Sequence, residues 1–173
     1  MKKIFAISGS TKTSSTNGLY ISAISQLLGK DFEVFIFPTI ADIPHFNPDL
    51  DSVDPPQIVY ELRKSIQLAD GIIISTPEYA MGLPGSLKNL LDWTVSSSTL
   101  SGKPILVLVA STQGEKAYQS IIDTLTVIEA RISPLLIPFA KAKITSEAVI
   151  IHNETLESLR SLVRSFVASI ENG

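Results

Sequence analysis

The feature that most constrains the fold of this chain is a regular alternation of short apolar runs with amphipathic segments. Five runs have the length of strands and are rich in β-branched or aromatic residues, and most are continuously apolar, which is typical of strands covered on both faces. They are Ile4–Ser8, Val34–Phe37, Gly71–Ser75, Ile105–Ala110 and Leu135–Phe139. The segments between them repeat apolar residues every three or four positions, as helices with one buried face do.

This β-α pattern, repeated five times, predicts a parallel sheet with helices on both faces, that is, a three-layer α/β sandwich. A five-stranded parallel sheet of this kind suggests the strand order 2-1-3-4-5. The length of 173 residues suits one domain and no linker or internal repeat divides it, so we expect residues 1–173 to form a single domain. The apolar face expected for the fourth helix consists of Ile121, Leu125, Ile128 and Ile132.

Composition excludes several classes of chemistry. The chain has no cysteine and two histidines, which excludes a disulfide framework, a thiolate metal site, a cysteine nucleophile and a three-histidine metal site, so no metal site is predicted. A net charge of −3 without a basic stripe argues against nucleic-acid binding. No run approaches the roughly 18 apolar residues of a membrane span. The apolar run after Lys3 is too short for a signal peptide, so we expect a cytoplasmic protein without a membrane partner.

In an open parallel sheet, ligands bind beyond the carboxyl ends of the strands, which directs attention to three loops. The first, Gly9–Asn17, holds six hydroxyl side chains, the lysine Lys12 and a helix start at which Asn17 is the expected cap. Free N–H groups, hydroxyl donors and the helix dipole favour an anion such as a terminal phosphate. The spacing matches neither the Walker loop nor the dinucleotide fingerprint. An ordinary polar turn has the same composition, and the residues alone leave both interpretations open.

The second loop, Thr76–Asn89, contains two prolines and two glycines, which fix the shape of its backbone. Tyr79 and the loop amides could receive a planar heterocycle, although a rigid connection without a ligand explains the same residues. Glu78 is either a general acid or base, or a carboxylate that holds loop backbone. The third loop, Ser111–Lys116, is short and polar and could line the other side of a ring system. Trp93, in the helix after the second loop, is expected in the core or at an interface.

Taken together, these stretches resemble the NADPH-dependent FMN reductase family of the flavodoxin-like fold, which also includes azo, quinone and chromate reductases. Gly9–Asn17 is similar to the family's G-S-x-R-x-x-S-x-N signature, and Pro77–Trp93 is similar to its P-E-Y-N-x-x-x-P-G-x-L-K-N-x-L-D-W signature. Asp42–Asp49 is similar to the family's loop after the second strand. The resemblance covers roughly residues 3 to 140 of the chain.

The resemblance implies an FMN site and assigns residues to its two ends. The phosphate would be bound by Ser10, Lys12, Ser15, Thr16 and Asn17. The isoalloxazine ring would be contacted by Pro77, Glu78, Tyr79 and Ala80, and its other edge by Ser111 and Gly114. No residue is assigned a catalytic role, because in flavoenzymes the cofactor carries the redox chemistry.

The function implied is that of an enzyme, an FMN-dependent oxidoreductase that passes hydride from NADPH or NADH by way of bound FMN to a small acceptor. That acceptor would be a flavin, a quinone, an azo compound or a metal oxyanion, and the assembly a homodimer or homotetramer. Three departures from the family pattern bear on this: Lys12 replaces an arginine, Ala80 replaces an asparagine, and Glu115-Lys116 replaces a Gly-Gly pair. Lys12 and Ala80 keep open the alternative of a flavin-free interaction protein on the same fold. The other alternative is a flavodoxin-type electron carrier without NAD(P)H oxidase activity, although such carriers have a stronger acidic face than a net charge of −3 suggests.

Overall fold

The computed structural model describes residues 1–51 and 54–172; residues 52, 53 and 173, which fall within the predicted domain, lie outside the described residues. The strands are β1 (Lys2–Ser8), β2 (Phe32–Ile36), β3 (Gly71–Thr76), β4 (Pro104–Ala110) and β5 (Arg131–Ile137). The α-helices are α1 (Thr16–Leu28), α2 (Gln57–Leu68), α3 (Gly85–Val95), α4 (Glu115–Val127) and α5 (Asn153–Glu171). Short 3₁₀ turns occupy Pro48–Leu50 and Ala140–Lys143.

The strands form one five-stranded parallel sheet in the order β2-β1-β3-β4-β5. This confirms the predicted α/β class and strand order. The central strands β3 and β4 are buried along their whole length. Their uninterrupted apolar sequence follows from this position, because helices cover both faces of the sheet there.

Alternate residues of the strands pack into two separate core layers. Ile72 and Ile74 of β3 join a cluster with the buried faces of α2, α3 and α4, whereas Ile73 joins a second cluster with α1 and α5. The two clusters are the outer interfaces of the three-layer sandwich. No helix in residues 1–51 and 54–172 is both long enough and apolar enough to cross a membrane.

The predicted strand boundaries are wrong at β1, β2 and β5, most of all at the edge strand β5. The strand expected at Leu135–Phe139 is observed at Arg131–Ile137, and Ile132, expected on the fourth helix, pairs with Ile105 in this strand. An edge strand tolerates Pro134, because one side of its backbone has no partner strand. β1 and β2 each begin two residues earlier than expected, at Lys2 and Phe32.

Close packing at the carboxyl ends of β1 and β3 depends on Gly9. Its amide donates a 2.7 Å hydrogen bond to Ser75 O. A Cβ at this position would lie 2.4 Å from Thr76 Oγ1 and 2.6 Å from Thr76 Cβ, so a larger residue would push the two strand ends apart. β1 and β3 are also the neighbours at which the chain order of the sheet reverses, the place where open parallel sheets bind ligands.

Candidate functional site

A cleft of about 650 Å³ lies at the carboxyl edge of the sheet. Its volume falls within the roughly 300–1,000 Å³ of small-molecule and cofactor sites. The loops that follow β1, β3, β4 and β5 form its walls. Nine of the eleven predicted site residues line it, namely Ser10, Lys12, Ser15, Thr16, Asn17, Pro77, Glu78, Tyr79 and Ser111. The other two, Ala80 and Gly114, do not.

The helix start in the first loop is arranged around Ser15. Its Oγ accepts a 3.0 Å hydrogen bond from Gly18 N, which makes Ser15 the cap of α1. The amides of Thr16 and Asn17, at the first two helical positions, donate to no atom of the described chain. They therefore leave the positive end of the α1 dipole available to an anion in the cleft.

Hydroxyl groups and one cation surround this helix start. Ser14 and Thr16 line the cleft, and neither side chain makes a hydrogen bond within the part of the chain that is described. Lys12 is exposed and likewise unpaired. Ser10 Oγ accepts from Lys12 N at 3.3 Å and lies 3.4 Å from Tyr79 Oη, so it joins the first and second loops. This wall presents donors without protein acceptors.

Asn17 occupies a different position from the one expected of a cap. It lies inside α1 and is 3% exposed, with its Oδ1 accepting from Ser75 Oγ at 2.8 Å and its Nδ2 donating to Ala110 O at 3.3 Å. The capping prediction was wrong by two residues, because several residues in this loop have capping side chains and the backbone geometry selects Ser15. The Asn17 amide group instead ties α1 to the ends of β3 and β4.

Glu78 links the second loop to α4. Its Oε2 accepts from Lys116 N and Ala117 N, each at 2.9 Å, at the first turn of the helix. Its own amide donates to Ser111 Oγ at 3.2 Å. A carboxylate at a helix N-terminus satisfies free amides and the dipole, so this geometry favours the loop-holding interpretation of Glu78 over a role in acid-base chemistry.

The tip of the second loop is a tight turn. Tyr79 and Gly82 exchange two backbone hydrogen bonds of 3.0 Å each, and Ala80 and Met81 between them have φ values of 47° and 61°. Tyr79 is 51% exposed and lines the cleft, so its ring is available to a ligand. The family signature that this loop resembles has an asparagine at the position of Ala80, and asparagine adopts a positive φ more readily than alanine does.

Gly114 shapes the third loop from behind the cleft. Its φ is 120°, and a Cβ there would lie 2.7 Å from Leu136 Cδ1. It precedes α4 as the capping position. Gly114 is thus required for close packing against β5, whereas Ser111 reaches the cleft itself.

Sequence reasoning missed the fourth wall, the segment 139–146 after β5. Phe139 N donates to Thr112 O at 3.1 Å and Ala140 N donates to Ser111 O at 3.0 Å, which fastens this segment to the third loop. Tyr20 Oη donates to Ala140 O at 3.0 Å, and burial raises the pKa of that hydroxyl to about 12. The strand order was the available signal, because it places the end of β5 beside the end of β4.

The long loop between β2 and α2 is held away from the cleft by α3. Trp93 is fully buried and donates from Nε1 to Pro44 O at 2.8 Å. Asn89 Oδ1 accepts from Phe46 N at 2.7 Å, and its Nδ2 donates to Pro44 O at 3.0 Å. His45 is exposed and does not line the cleft. The prediction that Trp93 belongs to the core is confirmed.

The described residues hold no group of three or more His, Asp or Glu side chains that could bind a metal. The donors of the cleft are amides, hydroxyls and lysines, which suit an anionic ligand.

Comparison with known proteins gives a consistent family match. A family profile described as NADPH-dependent FMN reductase matches residues 2–141. Quinone reductase of Escherichia coli (strain K12) is 35% identical over 112 residues, which are 63% of this chain and 60% of that protein. The match thus spans about three fifths of that relative's length.

Two further proteins are similar over nearly their whole length. 2-Hydroxy-1,4-benzoquinone reductase of Burkholderia sp is 26% identical over 179 residues, covering 98% of this chain and 97% of that protein. The structure of FerB, a flavoenzyme NAD(P)H:(acceptor) oxidoreductase from Paracoccus denitrificans, has a TM-score of 0.81 at 24% identity, covering 99% of this chain and 98% of that chain. This structural likeness confirms the fold.

Proposed function

The chain belongs to the NADPH-dependent FMN reductase family, and from this premise we propose that it is an FMN-dependent oxidoreductase that uses NADPH or NADH to reduce a small acceptor. The observation that carries the proposal is the cleft, in which the hydroxyls of Ser14 and Thr16, the ammonium of Lys12 and the start of α1 have no partner within the described residues. A quinone is the favoured acceptor class, because two similar proteins are named as quinone reductases.

The first loop fits the phosphate of FMN. A terminal phosphate needs several donors and positive charge around one point. Ser10, Lys12, Ser14 and Thr16 line this part of the cleft together with the free amides of Thr16 and Asn17. Ser15 would act mainly through its cap, since its Oγ already accepts from Gly18 N.

The second and third loops fit a planar ring. Pro77 and Tyr79 lie on one wall and Ser111 on another, and the hydrogen bond from Glu78 N to Ser111 Oγ joins these walls. The engagement of Glu78 with α4 keeps this pair of loops in place. Ala80 and Gly114 would contribute through the shape of their backbone, because neither residue lines the cleft.

When bound, FMN supplies the hydride and electron transfer chemistry that the side chains lack. The task of the chain is then to bind and orient. Preformed donors stabilise negative charge on a bound ring at little reorganisation cost. The openness of the cleft beside Tyr79, a half-exposed ring, leaves room for a nicotinamide and an acceptor to visit in turn.

A single domain over residues 1–173, a cytoplasmic location and a homodimeric or homotetrameric assembly belong to the same proposal and rest on the sequence and on the family. Neither nucleic acid nor a membrane is expected as a partner. Size-exclusion chromatography with light scattering of the flavin-loaded protein tests the assembly.

The proposed activity is tested with purified protein saturated with FMN. We expect a yellow protein that oxidises NADPH or NADH only when a quinone such as benzoquinone is supplied. Bound FMN without nicotinamide oxidation would instead identify an electron carrier. Failure to bind FMN at micromolar concentrations would contradict the proposal and leave the interaction protein.

A further inference from the structure

The wall formed by residues 139–146 brings a second lysine into the cleft. The charged residues that line the cleft are Lys12, Glu78 and Lys141. Lys12 belongs to the first loop, after β1, and Lys141 to the 3₁₀ turn after β5, so the two cations follow strands that lie on either side of β3 and β4 in the sheet. Nothing in the sequence signatures points to Lys141.

Neither lysine has a protein partner among the residues that the structure describes. No ion pair and no side-chain hydrogen bond involves the ammonium group of Lys12 or Lys141 within the described residues. Glu78, the acid of the cleft, is already engaged by the amides of Lys116 and Ala117. Glu78 therefore forms no ion pair with either lysine, and two lysines against one carboxylate leave the charged lining of the cleft with a net positive charge.

The backbone that carries Lys141 is fixed. Ala140 N donates to Ser111 O at 3.0 Å, Ala140 O accepts from Tyr20 Oη at 3.0 Å, and Ala142 N donates to Phe139 O at 3.1 Å. Ile144, just after the turn, is buried in the core. These bonds hold Lys141 at the cleft wall, so a bound anion needs to order little more than the lysine side chain.

We propose that Lys141 is a second binding cation for the phosphate of FMN and acts together with Lys12. This rests on the proposed function. A phosphate dianion would then meet two lysines and the α1 N-terminus, which balances its charge without an arginine. Lys12 is a point charge that lacks the two-pronged geometry of arginine, and Lys141 would supply the charge-assisted bond that Lys12 cannot make alone.

The adjacent Lys143 offers a matched control. It lies in the same 3₁₀ turn, but it lines a separate, smaller cavity with His152 and Glu154. Lys141→Gln and Lys143→Gln therefore remove the same charge from neighbouring positions on the turn. Any effect of net charge or of the turn itself should appear in both variants.

The experiment measures the dissociation constants of FMN and riboflavin by flavin fluorescence for each variant. Riboflavin is the probe that lacks the phosphate. Lys141→Gln should weaken FMN binding by roughly threefold to tenfold and leave riboflavin binding unchanged. Lys141→Arg should restore FMN binding, and Lys143→Gln should behave as the unmodified protein. Raising the ionic strength should shrink the Lys141→Gln effect, because exposed charges are screened.

Each of three results would overturn the proposal. The first is that Lys141→Gln binds FMN as tightly as the unmodified chain, whereas Lys12→Gln binds it more weakly. The second is that Lys141→Gln loses affinity for FMN and for riboflavin to the same extent. Both leave the proposed function intact. The third is an unmodified chain that binds no FMN, which overturns the proposed function as well. Circular dichroism of each variant verifies that the fold is retained.

Discussion

The polar groups around α3 and those around the start of α1 are similar in kind but opposite in their hydrogen bonding. Asn89, Trp93 and Arg63 form what we call the α3 clamp, in which each side chain meets protein partners: Asn89 and Trp93 bind the loop at Pro44, and Arg63 donates to Asp51 and to Trp93 O. In the cleft, by contrast, Ser14 and Thr16 have no partner in the described chain.

This contrast separates structural from ligand-binding residues within a single motif. The Pro77–Trp93 signature contains both kinds. Its first part, at Pro77 and Tyr79, faces the cleft, whereas its last part, at Asn89 and Trp93, holds the long loop between β2 and α2. Buried polar groups normally have partners, and no buried side-chain nitrogen or oxygen of the described residues lacks one. The hydroxyls of Ser14 and Thr16 are open to the cleft instead, where a ligand can reach them.

The largest effect is expected from the removal of Trp93, the residue at the centre of the α3 clamp. Trp93→Ala should lower the free energy of unfolding by about 3–5 kcal/mol, because it removes a fully buried indole and its bond to Pro44 O. Urea titration followed by circular dichroism measures the loss. FMN affinity, measured under conditions where the variant is folded, should stay within about twofold of the unmodified value.

Trp93→Phe is the matched control for that variant. It keeps most of the buried volume and loses the Nε1 donor, and Asn89 Nδ2 still donates to Pro44 O. Its cost should be about 1–2 kcal/mol. A loss of FMN binding in folded Trp93→Ala would show that the α3 clamp and the cleft are not separable.

The second prediction concerns Asp51 and the pH dependence of the α3 clamp. Burial alone would raise the pKa of the Asp51 carboxyl, but hydrogen bonds from Arg63 and Ser96 and the charge of Arg63 lower it below its ordinary value. Such a group stabilises the fold fully above its ordinary pKa of about 3.9 and loses that contribution as the pH falls through the lowered one. Asp51→Asn should lower stability by about 1.5–3 kcal/mol at neutral pH.

Urea titrations at several pH values measure this effect. The difference between Asp51→Asn and the unmodified chain should be constant near neutrality and shrink below about pH 4. A difference that grew on acidification would contradict the assignment.

The layers of the fold follow from the sequence because burial on both faces leaves a simple mark. β3 and β4 read as continuous apolar runs, and the structure buries them throughout. β5 is less regular, because an edge strand can contain Arg131 and Pro134. These two residues interrupt the apolar run, so the start of the strand could not be predicted from the sequence. Pattern reasoning works best where the environment is uniform and fails where one face or edge meets solvent.

The candidate site could be predicted only in part for a related reason. Loops that follow strands are recognisable from their composition, as Ser10 and Tyr79 were. The segment at Phe139 and Lys141 carries no such composition, and its place in the cleft depends on backbone hydrogen bonds to Ser111 and Thr112, which are distant in the chain. The choice of Ser15 over Asn17 as cap depends on backbone angles in the same way.

The third prediction concerns the hydroxyl groups of the first loop and compares those that line the cleft with those that do not. Ser14→Ala combined with Thr16→Ala should weaken FMN binding about tenfold, since two net hydrogen bonds to phosphate are lost. The free energy of unfolding should change by no more than about 0.5 kcal/mol, because neither side chain has a partner in residues 1–51 and 54–172. Fluorescence titration and urea unfolding measure the two quantities.

Thr11→Ala combined with Thr13→Ala is the control, because these hydroxyls belong to the same loop but do not line the cleft. It should leave FMN affinity unchanged. Equal weakening by the two double variants would contradict the claim that contact with the cleft identifies the ligand-binding hydroxyls.

The smallest expected effect is a gain in stability at the tip of the second loop, which differs from the α3 clamp in carrying backbone strain. Ala80 has a φ of 47° and lies exposed beside Tyr79. Glycine adopts this conformation without the steric cost that alanine bears, so Ala80→Gly should raise the free energy of unfolding by about 0.5–1 kcal/mol.

Ala41, an exposed alanine that is not among the residues with a positive φ, supplies the control. Ala41→Gly should be neutral or destabilising, since glycine there gains only unfolded-state freedom. Urea titration of both variants decides the matter: equal shifts, or a loss in Ala80→Gly, would mean that the tip stores no relievable strain.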